Sequence, residues 1–381
     1  MIWHVGGEDV HMRLPLLRSL RGLGYRVGAV GSGDGRAFAA DDIPYYNYPL
    51  NRWISPFADR RSTFQLRRLI ESERPDVVHA FDTKPSFLAP AAAAGLAVAV
   101  RTITGMGYVF SSQTPLAAAL RPVYRQRQRQ AGHESAVTIF QNQDDYDYFI
   151  RHRIVAEESA ALVRSSGVDC AELLSRCPDE SGRAALRARL ATGNEPVVTM
   201  VARMVATKGV RQFLGAARRV RASGIAARFL LAGPLASEGK QAVRREEFEA
   251  YGDDVTYLGP CDDVPALLSV SDLFVLPTYY REGVPRVLLE AGAIGLPLIT
   301  TDMPGCRDVV RHKENGLLVR PRDEASLVTA ITQMLSLDES TRRRMGNASR
   351  RRVHENFELR QVAAAYAAIY DRSLSLHGVR K

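Results

Sequence analysis

The feature that most constrains this chain is an alternation of short apolar segments with helical patterns, which runs through the first half and begins again in the second. In the first half the apolar segments are 2–5, 26–30, 76–80, 98–102, 136–140 and 160–163. Each has the length of a strand buried on both faces. Between them lie amphipathic helical patterns such as 14–23, 57–73 and 115–130. Parallel strands need a crossover, and a helix is the usual one, so this order predicts a parallel sheet covered on both faces. The second run has strands at 197–202, 227–232, 255–258, 272–276, 298–301 and 316–319, again with helices between. Two such runs predict an α/β chain of two Rossmann-like domains, with ligand bound at the carboxyl ends of the strands and the two edges facing one cleft.

The boundary is expected near the polar stretch Cys177-Pro-Asp-Glu-Ser-Gly-Arg183, whose composition reads as a linker. This gives an N-terminal domain over 1–170 and a C-terminal domain over 171–355. A last helix over 358–376 has no strand after it, so the 356–381 segment is expected to pack back across the first domain.

Composition narrows the class. The 381 residues are 46% hydrophobic and 24% charged, as in a globular protein rather than a disordered one. The four cysteines (170, 177, 261 and 306) form no CxxC pair and no cysteine–histidine spacing, which argues against a disulfide framework and against zinc. The start, Met1-Ile-Trp-His-Val-Gly-Gly, lacks the basic-then-apolar pattern of a secretory leader. The apolar stretch 88–100 is too short for the ~20 residues of a membrane span and reads as a buried helix leading into a strand. The chain is therefore expected in the cytosol or on a membrane surface. A net charge of +9 favours anionic partners, whether phosphorylated small molecules, anionic lipid or nucleic acid. Neither aromatic platforms nor a nucleic-acid reading motif is present, so nucleic acid is set aside.

Chemistry concentrates in the second half. In Val201-Ala-Arg-Met-Val-Ala-Thr-Lys-Gly-Val210 a strand ends, a loop carries Arg203 and Lys208, and a helix opens near Gly209. Open backbone N–H groups, the helix dipole and two cations suit a diphosphate; the alternative is a pair of solvated surface charges. Further on, Glu282-Gly-Val-Pro-Arg-Val-Leu-Leu-Glu290 places Pro285 where a helix can start and Glu290 inside it. Eight helical residues would separate the two carboxylates by at most about 12 Å. That suits two ends of an extended ligand better than a pair bracketing one bond. The plainer alternative is a helix-capping acid at Glu282 and a solvated Glu290.

These residues, with Gly233-Pro and Thr301-Asp-Met-Pro-Gly305, resemble the GT4 family of retaining glycosyltransferases, which have the GT-B fold. The stretch Tyr280-Arg-Glu-Gly-Val-Pro-Arg-Val-Leu-Leu-Glu290 resembles members that build lipid-linked precursors of bacterial surface polysaccharides. The resemblance implies that Arg203 and Lys208 hold a donor diphosphate. It also implies that Glu282 is the catalytic residue beside the donor sugar and that Glu290 binds the ribose. Backbone N–H groups at Gly283 and Val284 would meet the sugar or phosphate. Gly6-Gly7 would be the family's glycine-rich loop, although a plain turn after the first strand reads equally well. Many members carry a histidine before a Gly-x-Gly segment; here the stretch is Thr102-Ile-Thr-Gly-Met-Gly-Tyr108, so Thr104 stands in its place and cannot act as a base. His79, beside Asp82, is a further candidate, and Arg286 a candidate for sugar selection. Asp145 and Asp147 are read as a solvated helix face.

The resemblance implies a UDP-linked hexose or N-acetylhexosamine as donor and a polyprenyl-diphosphate-linked sugar as acceptor. It places the reaction at the cytoplasmic face of the inner membrane. No metal or other cofactor is expected, because the two cations and the helix dipole can stabilise the leaving diphosphate. Contact with anionic membrane is expected through Arg121, Arg125, Arg127 and Arg129 of the helix over 115–130. The rivals are a nucleotide-sugar epimerase of related architecture and a GT4 transferase using a GDP- or ADP-sugar on a soluble acceptor.

Overall fold

A computed structural model describes the chain except for residues 52–54, 113, 191, 236–241 and 379–381. The chain forms two compact units. The first comprises Met1–Gly167, Arg281–Val284 and Leu359–Lys381; the second comprises Val168–Tyr280 and Pro285–Glu358.

The first unit is built on a parallel sheet of β1 (Ile2–Val5), β2 (Val27–Gly31), β3 (Tyr45–Asn47), β4 (Val77–Ala80), β5 (Val98–Ile103), β6 (Val137–Phe140) and β7 (Ala160–Leu162). Their order across the sheet is β3-β2-β1-β4-β5-β6-β7. Strands β1, β2, β4 and β5 are buried along their whole length, as expected of a sheet with both faces covered. The edge strand β3 is absent from the sequence reading. Its Tyr-Tyr-Asn is too short and polar to stand out, and it is fixed by pairing Ala29 with Tyr45 and Val30 with Tyr46. The 88–100 stretch splits as read, into a helix over Pro85–Ala93 and strand β5.

One face of this sheet is closed by the Leu14–Gly22 helix and by the last helix, Leu359–Leu376. Leu16, Leu17 and Leu20 share a core cluster with Leu359, Val362, Ala363, Tyr366, Tyr370 and Leu374. The spacing of the second set is that of one helical face, which is why the final segment folds as a helix and joins the first unit. Another core cluster joins Trp3, Val30 and Val78 to Leu66 and Ile70 of the Pro56–Glu73 helix and to Ala89, Ala92 and Ala93.

The second unit has a parallel sheet of β8 (Val197–Val201), β9 (Arg228–Ala232), β10 (Val255–Gly259), β11 (Leu273–Leu276), β12 (Leu298–Thr301) and β13 (Gly316–Val319), in the order β10-β9-β8-β11-β12-β13. In both sheets the first strand of the unit lies beside the fourth, where the winding direction reverses. This is the Rossmann-like order, and its ligand crevice opens at that reversal. The stretch read as a linker is structured instead: Asp179 accepts from the Gly182 amide and caps a helix over Glu180–Arg189 inside the second unit.

Candidate active site

In the second unit the reversal point is the end of β8 beside the end of β11. The loop leaving β8 carries Arg203 and Lys208 and makes a short turn at Ala206–Lys208 before the Val210–Ala222 helix. Two glycines hold it close to its neighbours. Gly209 has φ 81°, and a Cβ there would lie 2.1 Å from the Pro277 carbonyl oxygen; a Cβ on Gly233 would lie 1.9 Å from that of Ala202. The Tyr279 amide (2.9 Å) and the Thr278 hydroxyl (3.2 Å) both donate to the Thr207 carbonyl. No side chain caps the Val210–Ala222 helix and no acid stands in its first turn. Its opening N–H groups and positive dipole end thus lie beside Lys208, with the exposed Arg203 on the same loop.

Also in the second unit, the Arg286–Ile294 helix begins one residue after Pro285. Arg286 Nε donates to Glu290 Oε1 at 2.9 Å, so two residues assigned separate roles form one ion pair. Burial pushes the Glu290 carboxyl above its ordinary range, with the Arg286 guanidinium opposing.

In the first unit Gly6 and Gly7 follow β1 as read. The Gly6 amide donates to the Val30 carbonyl at 2.9 Å, and a Cβ on Gly6 would press on Val10 at 3.0 Å. At Gly7 a Cβ would meet only Leu50, at 3.6 Å, so the protein itself does not require glycine there. A polar cluster occupies the carboxyl ends of β4 to β7. Arg13 pairs with Asp82 at 3.4 Å, donates to Ser166 Oγ, and lies 4.4 Å above the Phe81 ring. The Thr104 hydroxyl lies 3.4 Å from the same Asp82 oxygen, and Gln141 donates to Ser166 at 3.1 Å. Arg13, Gln141 and Ser166 escaped the sequence reading, and Asp82 entered it only as a neighbour of His79. The available signal was position, since Asp82, Thr104 and Gln141 stand one or two residues beyond a strand.

His79 is not part of this cluster. It is fully buried, its Nδ1 is 2.6 Å from the Tyr370 hydroxyl and its Nε2 is 2.7 Å from Thr102 Oγ1. With both ring nitrogens engaged it is a core histidine, and the ligand role expected of it is withdrawn.

Arg281–Val284 packs with the first unit. The Arg281 amide donates to Ser111 Oγ (2.7 Å), the Gly283 amide to the Thr104 carbonyl (2.7 Å), and Asn142 Nδ2 to the Glu282 and Gly283 carbonyls (3.3 Å each). A Cβ on Gly283 would fall 2.2 Å from Gln141 Oε1, and one on Gly105 would fall 2.6 Å from the Arg281 carbonyl oxygen. This corrects two readings. The Gly283 N–H is already used by Thr104, so it does not meet a ligand. Asp145 is no solvated acid: it is fully buried, bonded to Arg281 Nε at 2.7 Å and to Asn142 Nδ2 at 3.0 Å. Glu282 is half-buried beside these anchors.

The four arginines of the Pro115–His133 helix are not a free basic face. Arg121 donates to the Val109 and Ser112 carbonyls, and Arg129 to those of Arg153 and His152. Arg121, Arg125 and Arg129 are half-buried, and only Arg127 of the four is exposed. Among the described residues no group of three or more His, Cys, Asp or Glu is placed to hold a metal, and no helix is long and apolar enough to cross a membrane.

Two Rossmann-like units in one chain, each with its strand order reversing at its first strand, are the architecture of the GT-B fold. The glycosyl transferase 4-like domain model matches residues 10–164, and the glycosyl transferases group 1 model matches residues 183–352. The chain belongs to the GT4 glycosyltransferases. It is 24% identical to the N,N'-diacetylbacillosaminyl-diphospho-undecaprenol alpha-1,3-N-acetylgalactosaminyltransferase of Campylobacter jejuni, across 97% of each chain. It is also 24% identical to the UDP-Gal:alpha-D-GlcNAc-diphosphoundecaprenol alpha-1,3-galactosyltransferase of Escherichia coli, across 86% of this chain and 84% of the relative. Among solved structures, HepE of Anabaena in complex with UDP superposes with a TM-score of 0.78 at 16% identity, covering 98% of this chain and 100% of that one.

Proposed function

We propose that the chain transfers a hexose or N-acetylhexosamine from a UDP-sugar to a polyprenyl-diphosphate-linked glycan, with retention at the anomeric carbon and without a metal. The observation that carries this reading is the glycine-pinned loop of the second unit, where Arg203 and Lys208 stand at the uncapped N-terminus of the Val210–Ala222 helix. Such a place binds the donor diphosphate and stabilises it as it leaves. Glu290 takes the ribose hydroxyls, and Glu282 acts at the donor sugar. The acceptor class is supported by the two relatives whose names specify diphospho-undecaprenol-linked substrates. A lipid-linked acceptor brings the enzyme to an anionic membrane as a peripheral protein at the cytoplasmic face.

The test is a panel of UDP-, GDP- and ADP-sugars scored by thermal shift, since a ligand that binds only the folded chain raises the midpoint. It is followed by transfer to an undecaprenyl-diphosphate-linked sugar. Arg203→Ala and Lys208→Ala should each weaken donor binding about ten- to a hundredfold, the worth of a charge-assisted hydrogen bond. Glu282→Ala should slow transfer by about two orders of magnitude. Unchanged donor affinity in both cation variants would overturn the reading.

A further inference from the structure

The Pro56–Glu73 helix packs on the first unit through Ser62, Leu66 and Ile70. Its opposite side leaves Phe57 91% exposed and Phe64 60% exposed. At 3.6 residues per turn Phe57, Arg61, Phe64 and Arg68 fall on one stripe, with Arg60 beside it, on a helix of 18 residues. Bare phenylalanines repeated along one helical stripe mark a surface that meets something apolar.

The charges of this helix sort themselves. Its acids are engaged within the protein: Asp59 pairs with Lys84 at 2.6 Å, Glu71 with Arg67 at 3.2 Å, and Glu73 accepts from the Tyr46 hydroxyl at 2.7 Å. Arg60, Arg61 and Arg68 are exposed and pair with no carboxylate among the described residues. The stripe therefore offers two aromatic rings and three guanidinium groups, with its negative charge already quenched. That is the chemistry of a helix lying in an anionic lipid interface, rings among the acyl ends and arginines at the phosphates. The Pro115–His133 helix repeats the pattern more weakly, with Leu116 and Val123 exposed seven residues apart and Arg127 near them. The Pro85–Ala93 helix packs against both.

We infer that the exposed stripe of the Pro56–Glu73 helix, Phe57-Arg61-Phe64-Arg68 with Arg60, is the surface by which this enzyme seats on a bilayer rich in anionic lipid. The inference rests on the lipid-linked acceptor proposed above and moves the membrane contact from the arginines of the Pro115–His133 helix to a different element.

The test uses the full chain and co-sedimentation with vesicles of phosphatidylcholine alone or mixed equally with phosphatidylglycerol. Wild type should bind the mixed vesicles and be released by salt. The double variant Phe57→Ser, Phe64→Ser should lower the partition about tenfold or more. The triple variant Arg60→Gln, Arg61→Gln, Arg68→Gln should abolish the preference for phosphatidylglycerol. Both should keep the wild-type thermal midpoint and its shift with UDP-sugar, because these side chains lie outside the core. Unchanged vesicle binding in both variants would overturn the inference, as would binding lost instead by Leu116→Ser with Val123→Ser. A phenylalanine-dependent dimer in light scattering without vesicle binding would also overturn it, assigning the stripe to a second copy. If wild type binds UDP-sugar but no vesicle, only the membrane inference fails; if it binds no nucleotide sugar, the functional reading fails.

Discussion

At the scale of residues, the two acids singled out from sequence have different surroundings, and the difference is testable. Glu290 is driven toward its neutral form by burial and held ionised by Arg286. If its carboxylate accepts the ribose hydroxyls, UDP binding should weaken on acidification at a pH above the ordinary carboxylate range. Removing the opposing cation with Arg286→Ala should move that midpoint higher. Calorimetric titration of UDP across mildly acidic pH checks both, and a pH-independent affinity would remove Glu290 from the ribose. Asp145 and Arg281 form a buried pair whose disruption leaves an uncompensated charge. Asp145→Asn should cost about 3–5 kcal/mol in urea unfolding, and a second change, Arg281→Met, should restore part of it. Failure of the second change to restore stability would show that the pair is not coupled.

At the scale of elements, the Leu359–Leu376 helix is the clearest dependence of the fold on a distant segment. Its Tyr370 hydroxyl reaches His79 Nδ1 at 2.6 Å and His4 Nε2 at 3.1 Å, tying the helix to neighbouring strands β1 and β4. Tyr370→Phe leaves those buried nitrogens unpartnered and should cost about 1–3 kcal/mol. Burial depresses both histidines, His4 from 6.5 to about 3. The unfolded chain therefore binds protons below pH 6.5 that the folded chain does not. This contribution to stability is fully present above pH 6.5 and is lost progressively as pH falls toward about 3. Denaturant midpoints across that range should fall with acidification, and more shallowly in a His4→Gln variant that still folds. In the second unit, Gly209→Ala places a methyl against the Pro277 carbonyl on a left-handed backbone. It should lower the thermal midpoint and displace the cation-bearing loop, so that UDP affinity drops even though no charge is changed.

At the scale of the whole molecule, both units use the same winding order, and each places its polar residues at the strand ends around the reversal. A transferase reading predicts that UDP-sugar without acceptor gives no isomerised product, as product analysis by chromatography would check; accumulation of a new UDP-sugar would instead favour the epimerase alternative. If Arg203 and Lys208 supply the positive charge at the leaving diphosphate, as proposed, transfer should persist in excess chelator. Loss of activity restored by a divalent ion would contradict the metal-free mechanism.

Much of this was legible in the sequence because it is local. Buried parallel strands are written as apolar runs, so every strand among the described residues except β3 could be read to within a residue or two, and the β8 loop motif announced its cations and its glycine directly. What remained hidden depends on neighbours far away in the chain. Strand β3 is held by pairing with β2, Asp145 looked solvated until Arg281 was brought to it across 136 positions, and His79 looked available until Tyr370 closed over it. Arg121 and Arg129 of the Pro115–His133 helix read as part of a membrane face, but their guanidinium groups serve backbone carbonyls. Periodicity and composition fixed which segments become strands and helices, since those follow from each segment's own apolar pattern. Only tertiary packing decided which polar groups were spent inside the protein and which were left for a ligand, because that depends on partners whose proximity no local pattern encodes.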